Sequence, residues 1–148
     1  MKPILQVEDD PNDVFLLQHA MKRVGVTNPV QIARDGQEAI DYLQGAGKFA
    51  DRDKFPLPCL VLLDLKLPKV DGLEILREIK SDERTKAIPV IVMTSSKEQR
   101  DWVESHELGV DSFVTKPVDF DSFSKAVSKL GCYWVLLNHP PAQPVRNG

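Results

Sequence analysis

Hydrophobic residues along the chain alternate between two textures: short runs that are apolar almost throughout, and longer stretches in which apolar residues recur every three or four positions. The runs are Ile4-Leu5-Gln6-Val7, Val30-Gln31-Ile32, Leu60-Val61-Leu62-Leu63, Val90-Ile91-Val92-Met93 and Phe113-Val114, and each predicts a strand. The stretches between them carry helix starts. Asp10-Pro11-Asn12-Asp13 offers an N-cap acid and a first-turn proline, after which Leu17, Ala20, Met21 and Val24 recur at helical spacing up to Gly25. Asp35-Gly36-Gln37-Glu38 predicts a capping box ahead of Ala39, Ile40 and Leu43, closed by Gly45. Asp71-Gly72 precedes Leu73, Leu76 and Ile79. Ser95 or Ser96 opens a helix through Trp102 and Val103 to Gly109, and Asp119 to Asp121 opens a last one bearing Phe123, Val127, Leu130 and Trp134.

Strand and helix thus alternate five times. Strands apolar throughout and joined by helices predict an α/β fold, with a parallel sheet covered on both faces. Such sheets bind ligands beyond the carboxyl ends of their strands. The residues there are Glu8-Asp9-Asp10, Asp64, Thr94-Ser95-Ser96 and Thr115-Lys116-Pro117. Carboxylates gathered this closely repel one another unless a cation joins them, and a hard divalent ion that keeps several waters suits Mg²⁺. The Thr94 hydroxyl and the Lys116 ammonium are then donors with no protein anion that needs both, and a phosphoryl group would supply that anion. Taken singly, these residues read as helix-start acids, a loop or cap aspartate, a strand-end hydroxyl and a solvated lysine. Together they make the separate parts of one phosphoryl-transfer site.

Composition narrows the classes. The chain has 148 residues, 19 Lys and Arg against 22 Asp and Glu, a net charge of -3 and 42% hydrophobic residues, which fits one domain with one core. A weakly acidic balance gives no field for polyanions, so no nucleic-acid partner is expected. No apolar run approaches the roughly 20 residues of a bilayer span, and the start becomes acidic before a signal-peptide core can form. The expectation is a soluble, cytoplasmic chain with no membrane partner. Cys59 and Cys132 are isolated among apolar neighbours and read as inert thiols. Gly45-Ala46-Gly47-Lys48-Phe49 is no P-loop, since Tyr42 stands where the leading glycine belongs and Phe49 where Ser or Thr would bind metal. His19, His106 and His139 show no metal spacing. Residues 1–131 form the expected domain, and 132–148, ending in Pro140, Pro141 and Pro144, read as a tail with no output domain.

The ordered elements Glu8-Asp9, Asp64 with Pro68 and Asp71-Gly72, Ile88-Pro89 leading to Thr94-Ser95, and Lys116-Pro117 resemble the receiver domains of two-component response regulators, from about Ile4 to Leu130. The resemblance implies a flavodoxin-like, doubly wound sheet of five parallel strands in the order 2-1-3-4-5. It implies that Asp64 is the phosphoacceptor, and that Glu8, Asp9, Asp64 and the backbone carbonyl of Lys66 hold Mg²⁺. It further implies that Thr94 and Lys116 bind the phosphoryl group, that Thr94 and Phe113 are the switch pair, and that the peptide before Pro117 is cis. The long polar approach from Gly47 to Pro58, and the segment Tyr133 to Asn138 before Pro140-Pro141, are similar to stand-alone response regulators of cyanobacterial phytochromes. Glu8 in place of the first aspartate, Phe113 in place of the frequent tyrosine and Ser95 in place of a small alanine are mild departures that bear on the strength of switching.

The expected activity is therefore not that of an enzyme in the ordinary sense. It is a phosphoacceptor switch that takes its phosphoryl group from a sensor histidine kinase, a phytochrome by the closer resemblance. A phosphorylation-independent interaction module of the same fold is the alternative; an aspartyl-phosphate enzyme and a flavin-binding protein are remoter ones. Two partner surfaces are expected. Phe15 lies nearly opposite the inward residues of the first helix, at about 100° per residue, and reads as a kinase docking residue. Tyr133, Leu136 and Leu137 add apolar surface beyond the last helix, which either folds back on its own domain or joins the fourth helix, fifth strand and fifth helix in a homodimer face.

Overall fold

In the computed structural model, which describes residues 2–67 and 71–130, the five apolar runs form β1 (Ile4–Val7), β2 (Val30–Ala33), β3 (Leu60–Asp64), β4 (Val90–Thr94) and β5 (Ser112–Thr115). All pairings are parallel, in the order β2-β1-β3-β4-β5. Ile4 stands opposite both Val30 and Leu60, Asp64 opposite Met93, and Thr94 opposite Thr115. The order reverses between β1 and β3, and ligand crevices of open α/β sheets form at such a reversal. The expected fold class is the observed one.

Strand alternation divides the core in two. Ile4, Leu60, Leu62, Ile91 and Met93 point to one face, where they meet Leu17, Ala20 and Met21 of α1 (Pro11–Arg23) and Phe123 and Val127 of α5 (Phe120–Ser128). Leu5, Val7, Val61, Leu63, Val90 and Val92 point to the other. There they meet Ala39 and Leu43 of α2 (Gly36–Gln44), Ile75 and Ile79 of α3 (Gly72–Ser81), and Val103 of α4 (Lys97–Ser105). A strand buried on both faces has no polar side to show, and for that reason its sequence is apolar at consecutive positions.

Several boundaries differ from expectation. α4 ends at Ser105 rather than reaching Gly109, because Glu107 (φ 48°) and Gly109 (φ 80°) turn the chain through the left-handed region. α5 ends at Ser128; Leu130 lies beyond it yet stays buried. Val24 caps α1 rather than continuing it. The Asp35 side chain accepts from Glu38 N–H as expected, while the Glu38 carboxylate reaches back to Arg34 N–H. Cys59 is half-buried. Cys132, Trp134, the tail after it and Pro68 lie outside the described residues. Among the described residues, no helix is long and apolar enough to cross a membrane.

Candidate functional site

Parallel strands place the carboxyl ends of β1, β3, β4 and β5 on one edge, and the helix caps carry the chain away from it. Asp10 spends its carboxylate on capping α1, accepting from Asn12 N–H at 2.9 Å, and so leaves the acidic triplet. Glu8 and Asp9 remain. Glu8 is 1% exposed, and Asp64, the last residue of β3, is 3% exposed. Carboxylate oxygens of Glu8, Asp9 and Asp64 all lie within 4.8 Å of one another. Asp9, Asp13, Asp64, Thr94, Gln99 and Lys116 line an open cleft of about 510 Å³.

Lys116 organises the charge. Its Nζ donates to Asp64 Oδ2 at 2.8 Å, to Asp13 Oδ2 at 2.9 Å and to Glu8 Oε1 at 3.1 Å. This ammonium therefore sits among three carboxylates. Burial works against its charge, and its hydrogen bonds to Asp64, Asp13 and Glu8 overcome that penalty, holding its pKa above the ordinary lysine value. Burial and the neighbouring Asp64 push the Glu8 carboxyl up to about 8, against the pull of Lys116. The Lys116–Pro117 peptide is cis, as expected.

Thr94 has a neutral partner. Its hydroxyl donates to Gln99 Oε1 at 2.8 Å and accepts from Ser96 N–H at 3.0 Å, so its proton is committed within the protein. Asp64 Oδ1 accepts from Lys66 N–H at 3.0 Å, which tightens the loop that presents the Lys66 carbonyl. Gly72 lets that loop close: a Cβ there would come within 2.5 Å of Leu65 Cα and 2.7 Å of the Asp64 carbonyl oxygen. Phe113 is half-buried on β5, with the Arg100 guanidinium 5.1 Å above its ring. Phe15 is 68% exposed and stacks with His19.

Asp13 and Gln99 are the pocket residues the sequence reading did not single out. Both had a signal. Asp13 stands in the first turn of the helix that leaves the acidic strand end, and Gln99 completes the Ser-x-x-Gln spacing after Ser96.

The donor set tests whether a metal belongs here. Every donor in the acidic cluster is a carboxylate oxygen, two of the three carboxylates are nearly sealed from water, and Lys116 pairs with those two. That is a fit for a hard divalent cation.

Comparison with known proteins agrees with this geometry. The family model for the response regulator receiver domain matches residues 4–128. The bacteriophytochrome response regulator RtBRR superposes with a TM-score of 0.86 and 46% identity, covering 99% of this chain and 87% of its own. Its counterpart AtBRR gives 0.83 and 50% identity, covering 94% and 99%. The response regulator Rcp1 of Synechocystis sp. is 39% identical over 134 residues, 90% of this chain and 89% of that protein. The Mn²⁺-bound structure of Rcp1 superposes with a TM-score of 0.72 at 39% identity, covering 90% and 94%. With the family model spanning residues 4–128 and these relatives at 39–50% identity over 90% or more of the chain, the chain belongs to the response regulator receiver domain family.

Proposed function

We propose that Asp64 accepts a phosphoryl group from a phosphohistidine of a phytochrome-type sensor histidine kinase, and that the acyl phosphate changes the affinity of the chain for its partners. The family is one of phosphoacceptor switches that work with histidine kinases and a divalent metal. The observation that carries the reading is the position of Asp64. Its buried carboxylate stands at the strand-order reversal with one oxygen fixed by a backbone N–H and the other facing Lys116. What supports the phytochrome link is the likeness to two bacteriophytochrome response regulators over nearly the whole chain.

In the transfer, an Asp64 carboxylate oxygen attacks phosphorus as the P–N bond to the donor imidazole breaks, and imidazole leaves with the electron pair. When bound by Glu8, Asp9, Asp64 and the Lys66 carbonyl, Mg²⁺ would neutralise charge on the transferring oxygens. Lys116 exchanges a carboxylate for a phosphoryl oxygen while its bond to Asp13 keeps the ammonium in the cleft. Thr94 turns from Gln99 to the phosphoryl group, and the space it leaves admits Phe113. Water attacking phosphorus past Lys66 and Ser96 returns the carboxylate and inorganic phosphate. The kinase side of this exchange belongs to the cytoplasm. We assign kinase docking to Phe15 and a second copy of the chain to the face of α4, β5 and α5, where Trp102 is 37% exposed.

Acetyl phosphate tests the reading without the kinase. With Mg²⁺ it is expected to place one acid-stable, alkali-labile phosphoryl group on the wild type, and none after chelation or in Asp64→Asn. Undiminished labelling of Asp64→Asn would remove the phosphoacceptor, and labelling indifferent to chelator would remove the metal.

A further inference from the structure

The first turn of α4 carries a capping box with a third party inside it. In an ordinary box, the N-cap Ser accepts from the N–H three residues on, and that residue's side chain returns to the N-cap N–H. Gln99 N–H does donate to Ser96 Oγ, at 3.2 Å. The return path is interrupted: Ser96 N–H donates to Thr94 Oγ1 at 3.0 Å, and the Thr94 hydroxyl donates on to Gln99 Oε1 at 2.8 Å. Because the Ser96 N–H occupies one lone pair of that hydroxyl, its proton needs an acceptor, and the Gln99 side-chain carbonyl is that acceptor.

We propose that Gln99 is a positioning residue of the switch, holding the Thr94 hydroxyl in the cap of α4 until a phosphoryl group on Asp64 draws it away. The proposal rests on the reading of Asp64 as phosphoacceptor and Thr94 as its switch hydroxyl. Thr94 is 6% exposed, whereas Ser96 and Gln99 are half-buried. A hydroxyl proton left without an acceptor on a residue as buried as Thr94 costs more than an N–H on a half-buried one. Gln99 therefore stabilises the unphosphorylated arrangement more than the phosphorylated one, and its removal favours the latter. Departure of Thr94 leaves Gln99 Oε1 and Ser96 N–H at the spacing of an ordinary capping box, so the event is registered directly in the first turn of α4. One residue further on, Arg100 stacks over Phe113, which joins the same turn to the aromatic member of the switch.

Beryllium fluoride, which with Mg²⁺ mimics an aspartyl phosphate, provides the test on the intact chain. Its midpoint concentration is measured for the wild type, Gln99→Met, Thr94→Val and the double variant, with thermal melts in chelator to establish folding; Gln99→Ala replaces Gln99→Met should that variant not fold. Gln99→Met is expected to lower the midpoint about 2- to 10-fold, the span of one neutral hydrogen bond, and to change nothing in the Thr94→Val background. An unchanged or raised midpoint overturns the proposal. So does an equal shift in both backgrounds, which would place the effect in the helix and not in the hydroxyl. A wild type that neither binds beryllium fluoride nor takes label on Asp64 overturns the reading of the pocket itself, and the latch with it.

Discussion

Charge in the pocket turns on one ammonium. Glu8 and Asp64 are buried, Asp13 is partly so, and Lys116 bonds to all three. Taking one partner from a buried ionic network leaves the others desolvated and unpaired. Lys116→Met is therefore expected to destabilise the metal-free chain by roughly 2–4 kcal/mol in urea melts, and added Mg²⁺ to restore part of that loss by binding the folded form. Equal stability with and without Mg²⁺ would argue against a cation among these carboxylates. At this scale the sequence revealed where the functional side chains stand but not what they touch. Asp64, Thr94 and Lys116 follow apolar runs directly, and that fixes them to one edge. The bonds from Lys116 to Asp13 and from Thr94 to Gln99 join different elements, so no local spacing discloses them. Asp13 and Gln99 were readable only as helix-start residues.

Among the elements, α3 has the closest tolerance, because Gly72 meets the backbone of Leu65 and Asp64 and not a flexible side chain. Gly72→Ala must push α3 from the end of β3. The expected cost is about 1–3 kcal/mol in denaturant melts, with weaker metal binding than the wild type, since Asp64 lies in the displaced turn. A stability loss with unchanged metal affinity would detach Gly72 from the site. On α1, Phe15 points away from the core that holds Leu17, Ala20 and Met21. Phe15→Ala is expected to slow phosphoryl transfer from the kinase while leaving acetyl phosphate labelling unchanged; equal slowing of both would end its docking role. All five strands were legible to within about one residue: β3 and β4 are buried throughout and apolar up to their last residue, β1 is buried throughout with Gln6 within it, and the partly buried β2 and β5 still show short apolar runs. Helix ends were less so. The stop of α4 at Ser105 depends on Glu107 entering the left-handed region, which a non-glycine residue does not announce.

For the whole molecule, the parallel order with its reversal between β1 and β3 explains why residues from positions 8, 64, 94 and 116 meet at all. Self-association through α4, β5 and α5 belongs to the same scale. Sedimentation is expected to show a dimer that phosphorylation tunes, and a chain that stays monomeric at high micromolar concentration in both states would exclude it. The tail residues Tyr133, Leu136 and Leu137, which the sequence offers to that face or to their own domain, lie outside the described residues. Kinase docking, the switch and the tuned dimer all turn on the acyl phosphate on Asp64. Treating the chain with acetyl phosphate and Mg²⁺, reducing it with borohydride and mapping its peptides by mass reads that bond directly, because reduction converts an aspartyl phosphate to homoserine. Homoserine at position 64 alone is the expected result; homoserine at another aspartate, or at none, would contradict the account.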